Sequence, residues 1–296
     1  MVRDNSFHWS LPFTHVARFL LGIIFVMFSE PATTTAQTLT GDQLGDGLSI
    51  SVWNPHTQCP DVAPLVAVEI DPERYRFTVH YYQQDGLSDP LDIHQWQERT
   101  GHDLVFNAGL FRENYAYLGL LYGNGRSLGS KRHATWLGLF VAEPAEDRSR
   151  RARVLDLTFD TFDERQPPYR EVAQSLMLLD RTGKVRVRQT GKRAHQTLVA
   201  EQGNGHLLVL KTTQVVSLHA LGECLRNAFP SLRQVMAMDG GSSSDIAVSP
   251  SLRQATAKMA GFHTWIPLLE DSTTHVGLPA VIGISPRRDQ PGAKPR

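Results

Sequence analysis

The residues best equipped for chemistry form the run Met238-Asp239-Gly240-Gly241-Ser242-Ser243-Ser244-Asp245. It follows Val235-Met236-Ala237, which reads as a short buried strand. A carboxylate at the end of such a strand is costly unless it is paired or hydrogen-bonded. Two glycines remove the Cβ atoms that would hold a ligand off the backbone. Three hydroxyls and the turn N–H groups make a donor-rich rim suited to a phosphate or a sugar. The same residues are also good hairpin-turn chemistry. The run therefore reads either as a catalytic corner, with Asp239 its carboxylate and Gly240, Gly241, Ser242 and Ser243 its binding rim, or as a plain turn.

A second corner upstream has the same build. Leu104-Val105-Phe106 reads as a strand that runs into Asn107-Ala108-Gly109-Leu110-Phe111. A helix signal precedes each corner. Ser88-Asp89-Pro90 reads as a capped start, Leu91, Ile93 and Trp96 supply an apolar side, and Gly101 stops the helix. Before the second corner Ser217 is a cap, Leu218, Leu221, Leu225 and Phe229 keep helical spacing, and Pro230 ends the run. Helix, strand and polar-small-glycine corner thus occur twice, as a diverged duplication or by chance.

Three blocks carry a resemblance: Asn107-Ala108-Gly109-Leu110-Phe111, Gly119-Leu120-Leu121-Tyr122-Gly123-Asn124-Gly125 and Met238-Asp239-Gly240-Gly241-Ser242-Ser243. Together with Val68-Glu69-Ile70-Asp71-Pro72 they resemble, in order, the signature blocks of the phosphodiester glycosidase family, over roughly residues 65–284. The mammalian member of that family removes N-acetylglucosamine from a mannose phosphodiester, and bacterial members are mostly secreted. The resemblance implies a secreted hydrolase that cleaves the glycosidic C–O bond of sugar-1-phosphodiesters. The departing phosphate monoester is a weak base, so one carboxylate and a phosphate cradle suffice where ordinary glycosidases use two carboxyl groups. Asp239 would activate water or stabilise an oxocarbenium-like transition state. Gly240, Gly241, Ser242 and Ser243 would hold phosphate, Asn107 a sugar hydroxyl or the phosphate, and His195 would move a proton or lend partial charge. Gly109, Phe111, Arg193 and Thr197 would complete the substrate site. The chain departs from the family at Gln196, where many members have arginine, so the phosphate charge falls to Arg193 or His195. The stretch from Gln174 to Met177 also lacks a proline common in relatives.

Two other readings of these corners stand beside this one. The first is a non-catalytic binder of phosphorylated glycans, which Gln196 favours. The second is a metal-dependent phosphodiesterase, with Asp239, Asp245, His195 and Asn107 around a divalent ion, although their spacing matches no strong metal signature. No cofactor is expected otherwise.

The elements that must position these residues are many and short. Residues 66–70, 75–81, 118–122, 137–142, 175–179, 185–188, 197–200 and 207–211 carry strand signals, with turns at Gly123-Asn124-Gly125, Asp180-Arg181-Thr182-Gly183 and Gly203-Asn204-Gly205. Short strands, tight turns and few helices predict an α+β single domain of mainly antiparallel sheets with a few packed helices. Residues 143–169 are charged and contain prolines, and read as a surface excursion. The domain is expected over residues 41–286, with a disordered polar tail at 287–296.

At 296 residues and 41% hydrophobic content the chain can bury a sizeable core. Thirty basic residues balance thirty acidic ones, which argues against bulk nucleic-acid binding. The apolar run 19–28 after Arg18 is half a membrane span and matches a signal-peptide core, with cleavage expected after Ala36. The expectation is an extracytoplasmic protein, periplasmic or secreted, with no stable membrane span after cleavage of residues 1–36; an uncleaved anchor is the alternative. Cys59 and Cys224 either pair in that compartment or remain buried thiols.

Overall fold

The computed structural model describes residues 39, 41–146, 149–260, 264–270 and 275–287; the expected signal segment and residues 288–296 lie outside them. The chain opens with a meander of β1 (Asp42–Gly45), β2 (Leu48–Trp53) and β3 (Leu65–Ile70), followed by β4 (Tyr75–Tyr81), α1 (Ile93–Thr100) and β5 (Leu104–Asn107). Short strands β6 (Leu121–Gly123) and β7 (Arg126–Ser127) lead to the hairpin of β8 (Gly138–Pro144) and β9 (Ala152–Asp156). The long β10 (Tyr169–Leu179) follows, then β11 (Arg193–Ala194), β12 (Thr197–Gln202), β13 (Leu207–Thr212), β14 (Val216–Ser217) and α2 (Leu218–Ala228). The chain continues through β15 (Leu232–Ala237), a single 3-10 turn (Gly241–Ser243), β16 (Ile246–Val248), α3 (Pro250–Ala260), α4 (Trp265–Glu270) and β17 (Ala280–Pro286).

Every described strand pair is antiparallel. The large sheet runs β1-β2-β3-β13-β12-β15-β10-β6-β7, with β8 and β9 branching from β10. A smaller sheet has the order β16-β5-β17-β4, and β11 pairs with β14 alone. The fold is α+β and mostly β, as the strand pattern predicts.

The large sheet is buried on both faces, which explains why its strands read as continuous apolar runs rather than alternating ones. Along β3, Val66, Val68 and Ile70 pack with Phe77, Phe106, Trp96 and Ile282 of the smaller sheet and α1. Leu65 and Ala67 point the other way, to Leu221, Leu225 and Phe229 of α2. On β13, Leu207 and Val209 join the first cluster while Leu208 and Leu210 join the second. A third cluster, with Leu139, Val141, Leu155 and Val172, fills the branch at β8 and β9.

The two expected helices form, each with its cap. Asp92, rather than the Ser88-Asp89-Pro90 run, caps α1: its carboxylate accepts from His94 and Gln95 N–H, and Gln95 answers in a capping box. Gly101 closes it in the left-handed region at φ 65°. Ser217 caps α2 as expected. Several expectations are corrected. Residues 143–169 are not merely an excursion, because β9 lies within them and pairs along β8. Residues 185–188 make only an isolated bridge from Val185 to Leu179. Arg287 is no part of a free tail: its guanidinium binds both Glu143 carboxylate oxygens, at 2.7 and 2.8 Å. Cys59 and Cys224 form a disulfide that ties the segment after β2 to α2.

Candidate functional site

The Asp239 run is where the chain leaves one sheet for the other. β15 belongs to the large sheet and β16 to the smaller one, so residues 238–245 cross between them. The Asn107 corner ends β5, the strand that β16 pairs with. The two glycine-bearing corners of the sequence therefore meet. Asp239 N–H donates to the Ala108 carbonyl at 3.1 Å, and the Asn107 amide donates to the Asp239 carbonyl at 2.8 Å.

Asn107 is almost fully buried and its side chain is fully engaged. Its second amide hydrogen goes to the Ala108 carbonyl at 3.1 Å, and its oxygen accepts Asp245 N–H at 3.1 Å. It clips both ends of the crossover to β5, and neither amide hydrogen is left over for a sugar or phosphate.

The Asp239 carboxylate accepts Gly240 N–H at 3.0 Å and the Ser243 hydroxyl. Burial nonetheless pushes its pKa up to about 6, the two hydrogen bonds only partly opposing the shift. A carboxyl at that value exchanges its proton near neutrality.

Glycine is required beside it for steric reasons. A Cβ on Gly240 would lie 2.9 Å from both the His195 carbonyl and the Gln196 amide oxygen. Gly241 has φ +71°, a region side chains disfavour. On the opposite corner a Cβ on Gly109 would strike the Tyr117 hydroxyl and the Gln174 carbonyl. The glycine N–H groups themselves are committed: Gly240 to Asp239, Gly241 to the His195 carbonyl at 2.9 Å, and Gly109 to the Tyr117 hydroxyl at 3.0 Å. Ser242 is the exposed member of the rim.

The other expected residues divide. Thr197 is buried and its hydroxyl meets that of Ser244 at 2.9 Å, so it braces the crossover from β12. His195 lies half-buried beside Gly241, and its imidazole makes no hydrogen bond to a described residue. Gln196 is buried against Gly240, its amide donating to the Ala194 carbonyl at 3.3 Å. Arg193 is exposed and donates to the Val215 carbonyl on the β11–β14 ribbon at 3.0 Å. Phe111 is half-buried, bridged to Tyr117 and 6.1 Å from the Tyr115 ring. Among the described residues no group of three or more His, Cys, Asp or Glu side chains is placed to hold a metal ion.

Asp245 was named in the sequence only as a candidate metal ligand, and the partners that make it a support behind the site, Lys211 and His275, were missed. Asp245 and Lys211, both nearly inaccessible, form an ion pair at 3.3 Å, and the other Asp245 oxygen meets His275 Nδ1 at 2.6 Å. His94 stands edge-on to His275, with ring centroids 4.6 Å apart. Burial, then the neighbouring His275, lowers the His94 pKa. The Tyr117 hydroxyl donates to the Gln174 carbonyl at 2.8 Å, and Ser175 donates to the Ala237 carbonyl at 2.6 Å. The signal for the last was Ser175, a polar side chain inside a mostly apolar strand.

No protein-family model matches this sequence, and no curated protein matches it either. Solved structures do match. A hypothetical protein from Synechocystis aligns with TM-score 0.55 and 10% identity, over 86% of this chain and 64% of that one. The zebrafish N-acetylglucosamine-1-phosphodiester alpha-N-acetylglucosaminidase catalytic domain, auto-inhibited by its pro-peptide, aligns with TM-score 0.53 and 13% identity, over 85% of this chain and 88% of that one. This chain thus spans less than two thirds of the Synechocystis protein. At these identities the likeness establishes a shared fold with a glycosidase catalytic domain.

Proposed function

We propose that this protein is an extracytoplasmic hydrolase cleaving the glycosidic C–O bond of sugar-1-phosphodiesters. The observation that carries the reading is the Asp239 carboxyl, held at a glycine-lined crossover between the sheets and tuned by burial to about 6. In its ionised form Asp239 takes a proton from a water as that water attacks the anomeric carbon. The C–O bond to phosphate breaks, and its electrons leave with a phosphate monoester that needs no proton to depart. Asn107 acts by holding the crossover in place. His195, whose imidazole makes no hydrogen bond to a described residue, is the candidate to contact the phosphate. Support also comes from the fold shared with a phosphodiester glycosidase domain and, for the compartment, from the disulfide.

Gln196 favours a second reading. A neutral amide packs against Gly240 where the family usually has a guanidinium, so the corner would bind a glycan phosphate without cleaving it. One experiment separates the two. The protein and its Asp239→Asn variant are incubated with a panel of sugar-1-phosphodiesters, and free reducing sugar and phosphate monoester are measured. The hydrolase reading expects turnover that the variant lacks. Tight binding by both proteins with no turnover by either would replace it with the binder.

A further inference from the structure

The loop between β7 and β8 is tied down at four residues and presents two stacked rings. Ser130 donates through its hydroxyl to the Tyr117 carbonyl at 2.5 Å and through N–H to the Gly119 carbonyl at 2.9 Å. Arg132 binds Glu164 and the Phe162 carbonyl, both at 2.7 Å. The fully buried Gln174 amide makes four bonds: it accepts from Leu120 and His133 N–H and donates to the His133 and Trp136 carbonyls. Between these ties the His133 and Trp136 rings stack at 3.9 Å with planes 19° apart.

Trp136 is unlike the other described tryptophans. Trp53, Trp96 and Trp265 are at most 2% exposed, whereas Trp136 is partly open. The indole N–H of Trp96 donates to the Leu278 carbonyl at 2.8 Å and that of Trp265 to Asp42 at 2.7 Å, but that of Trp136 has no partner among the described residues. His133 Nδ1 lies 3.4 Å from both the N–H and the hydroxyl of Thr135. The loop therefore presents a partly open indole, stacked on one side by an imidazole, with an N–H that has no partner among the described residues. A pyranose ring is the matching shape: C–H groups on one face and hydroxyls around the edge.

The stacked pair is joined to the Asn107 corner by a hydrogen-bond chain through Gln174 and Tyr117. The Gln174 side chain holds the loop, while its carbonyl accepts from the Tyr117 hydroxyl that receives Gly109 N–H. We propose that His133 and Trp136 form a glycan subsite that takes a pyranose ring of the substrate's carbohydrate beside Asp239. This rests on the corner being a carbohydrate site, but not on its being catalytic. The ordering of the loop by Gln174 means little entropy is lost when a sugar docks.

The test is isothermal titration calorimetry of the full chain with cellotriose, maltotriose or chitotriose, alongside Trp136→Ala, Trp136→Phe and His133→Ala. Saturable binding of at least one sugar is expected. Trp136→Ala should weaken that binding about tenfold, and Trp136→Phe less, because a ring face remains. Binding that persists unchanged in Trp136→Ala overturns the subsite, as does binding of none of the three sugars, whether or not phosphodiesters are hydrolysed. Binding without hydrolysis supports the subsite and counts against catalysis at Asp239 alone.

Discussion

At the scale of one residue, Asp239 concentrates the conflict between stability and chemistry. Its carboxyl is desolvated and hydrogen-bonded to Gly240 and Ser243, and among the described residues no cation offsets the burial. The folded state therefore holds the Asp239 proton more tightly than the unfolded chain does. Its contribution to stability is fully present below the ordinary aspartate value of about 4 and is lost as pH rises through about 6. Asp239→Asn removes that loss. We expect the variant to be about 1–3 kcal/mol more stable than the parent at pH 8, with the gain shrinking toward pH 4, as urea unfolding at both pH values would reveal. Hydrolysis runs in the opposite sense. If the ionised carboxylate is the base, kcat/KM should climb about tenfold per pH unit below 6 and level off above it. A flat profile across that range would remove Asp239 from proton transfer.

At the scale of elements, the crossover is held at both ends by segments distant in the chain. Asp245 joins β16 to Lys211 of β13 and to His275 just before β17, while its backbone pairs with Asn107 of β5. Removing one member of a buried pair strands the other charge. Lys211→Met is therefore expected to cost about 3–5 kcal/mol in chemical denaturation, and Lys211→Met with Asp245→Asn to recover a large part of it. Equal losses in the single and double variants would show that the pair is not coupled. These supports also mark the limit of what the sequence discloses. The Asp239 and Asn107 corners were legible because strand end, polar residue and glycine are adjacent in the chain. Lys211 sits at the end of an apolar strand and His275 in a short coil, and neither differs from its neighbours until β13, β16 and β17 are assembled. β2 is legible in Leu48-Ser49-Ile50-Ser51-Val52-Trp53, which alternates with a strand period, although it is not among the strands expected above. β9 was hidden for a physical reason: Arg151 and Arg153 flank its apolar residues, and the strand is buried only because β8 pairs with it.

At the scale of the whole molecule, the large sheet is covered on one face by the smaller sheet and on the other by α2, and the disulfide fastens that second cover. Cys224 lies on the buried side of α2, and Cys59 lies in the segment between β2 and β3, 165 residues away in sequence. Closing so long a loop restricts the unfolded chain, by about 5 kcal/mol in the chain-entropy account, with measured cases usually smaller. The folded core beneath α2 does not depend on the bond for its contacts: Leu221, Leu225 and Phe229 pack on Leu178, Leu198 and Leu210 regardless. The Asp239 crossover lies at the junction with the smaller sheet, and none of its hydrogen bonds involves α2. Reduction should therefore lower stability without dismantling the site. We expect Cys59→Ser with Cys224→Ser to melt on the order of 10 °C lower than the parent. Below the melting temperature it should retain the binding or hydrolysis measured at Asp239. A variant that loses the Asp239 function while still folded would mean that α2 and its bond transmit to the crossover, and that the two faces of the large sheet are not independent.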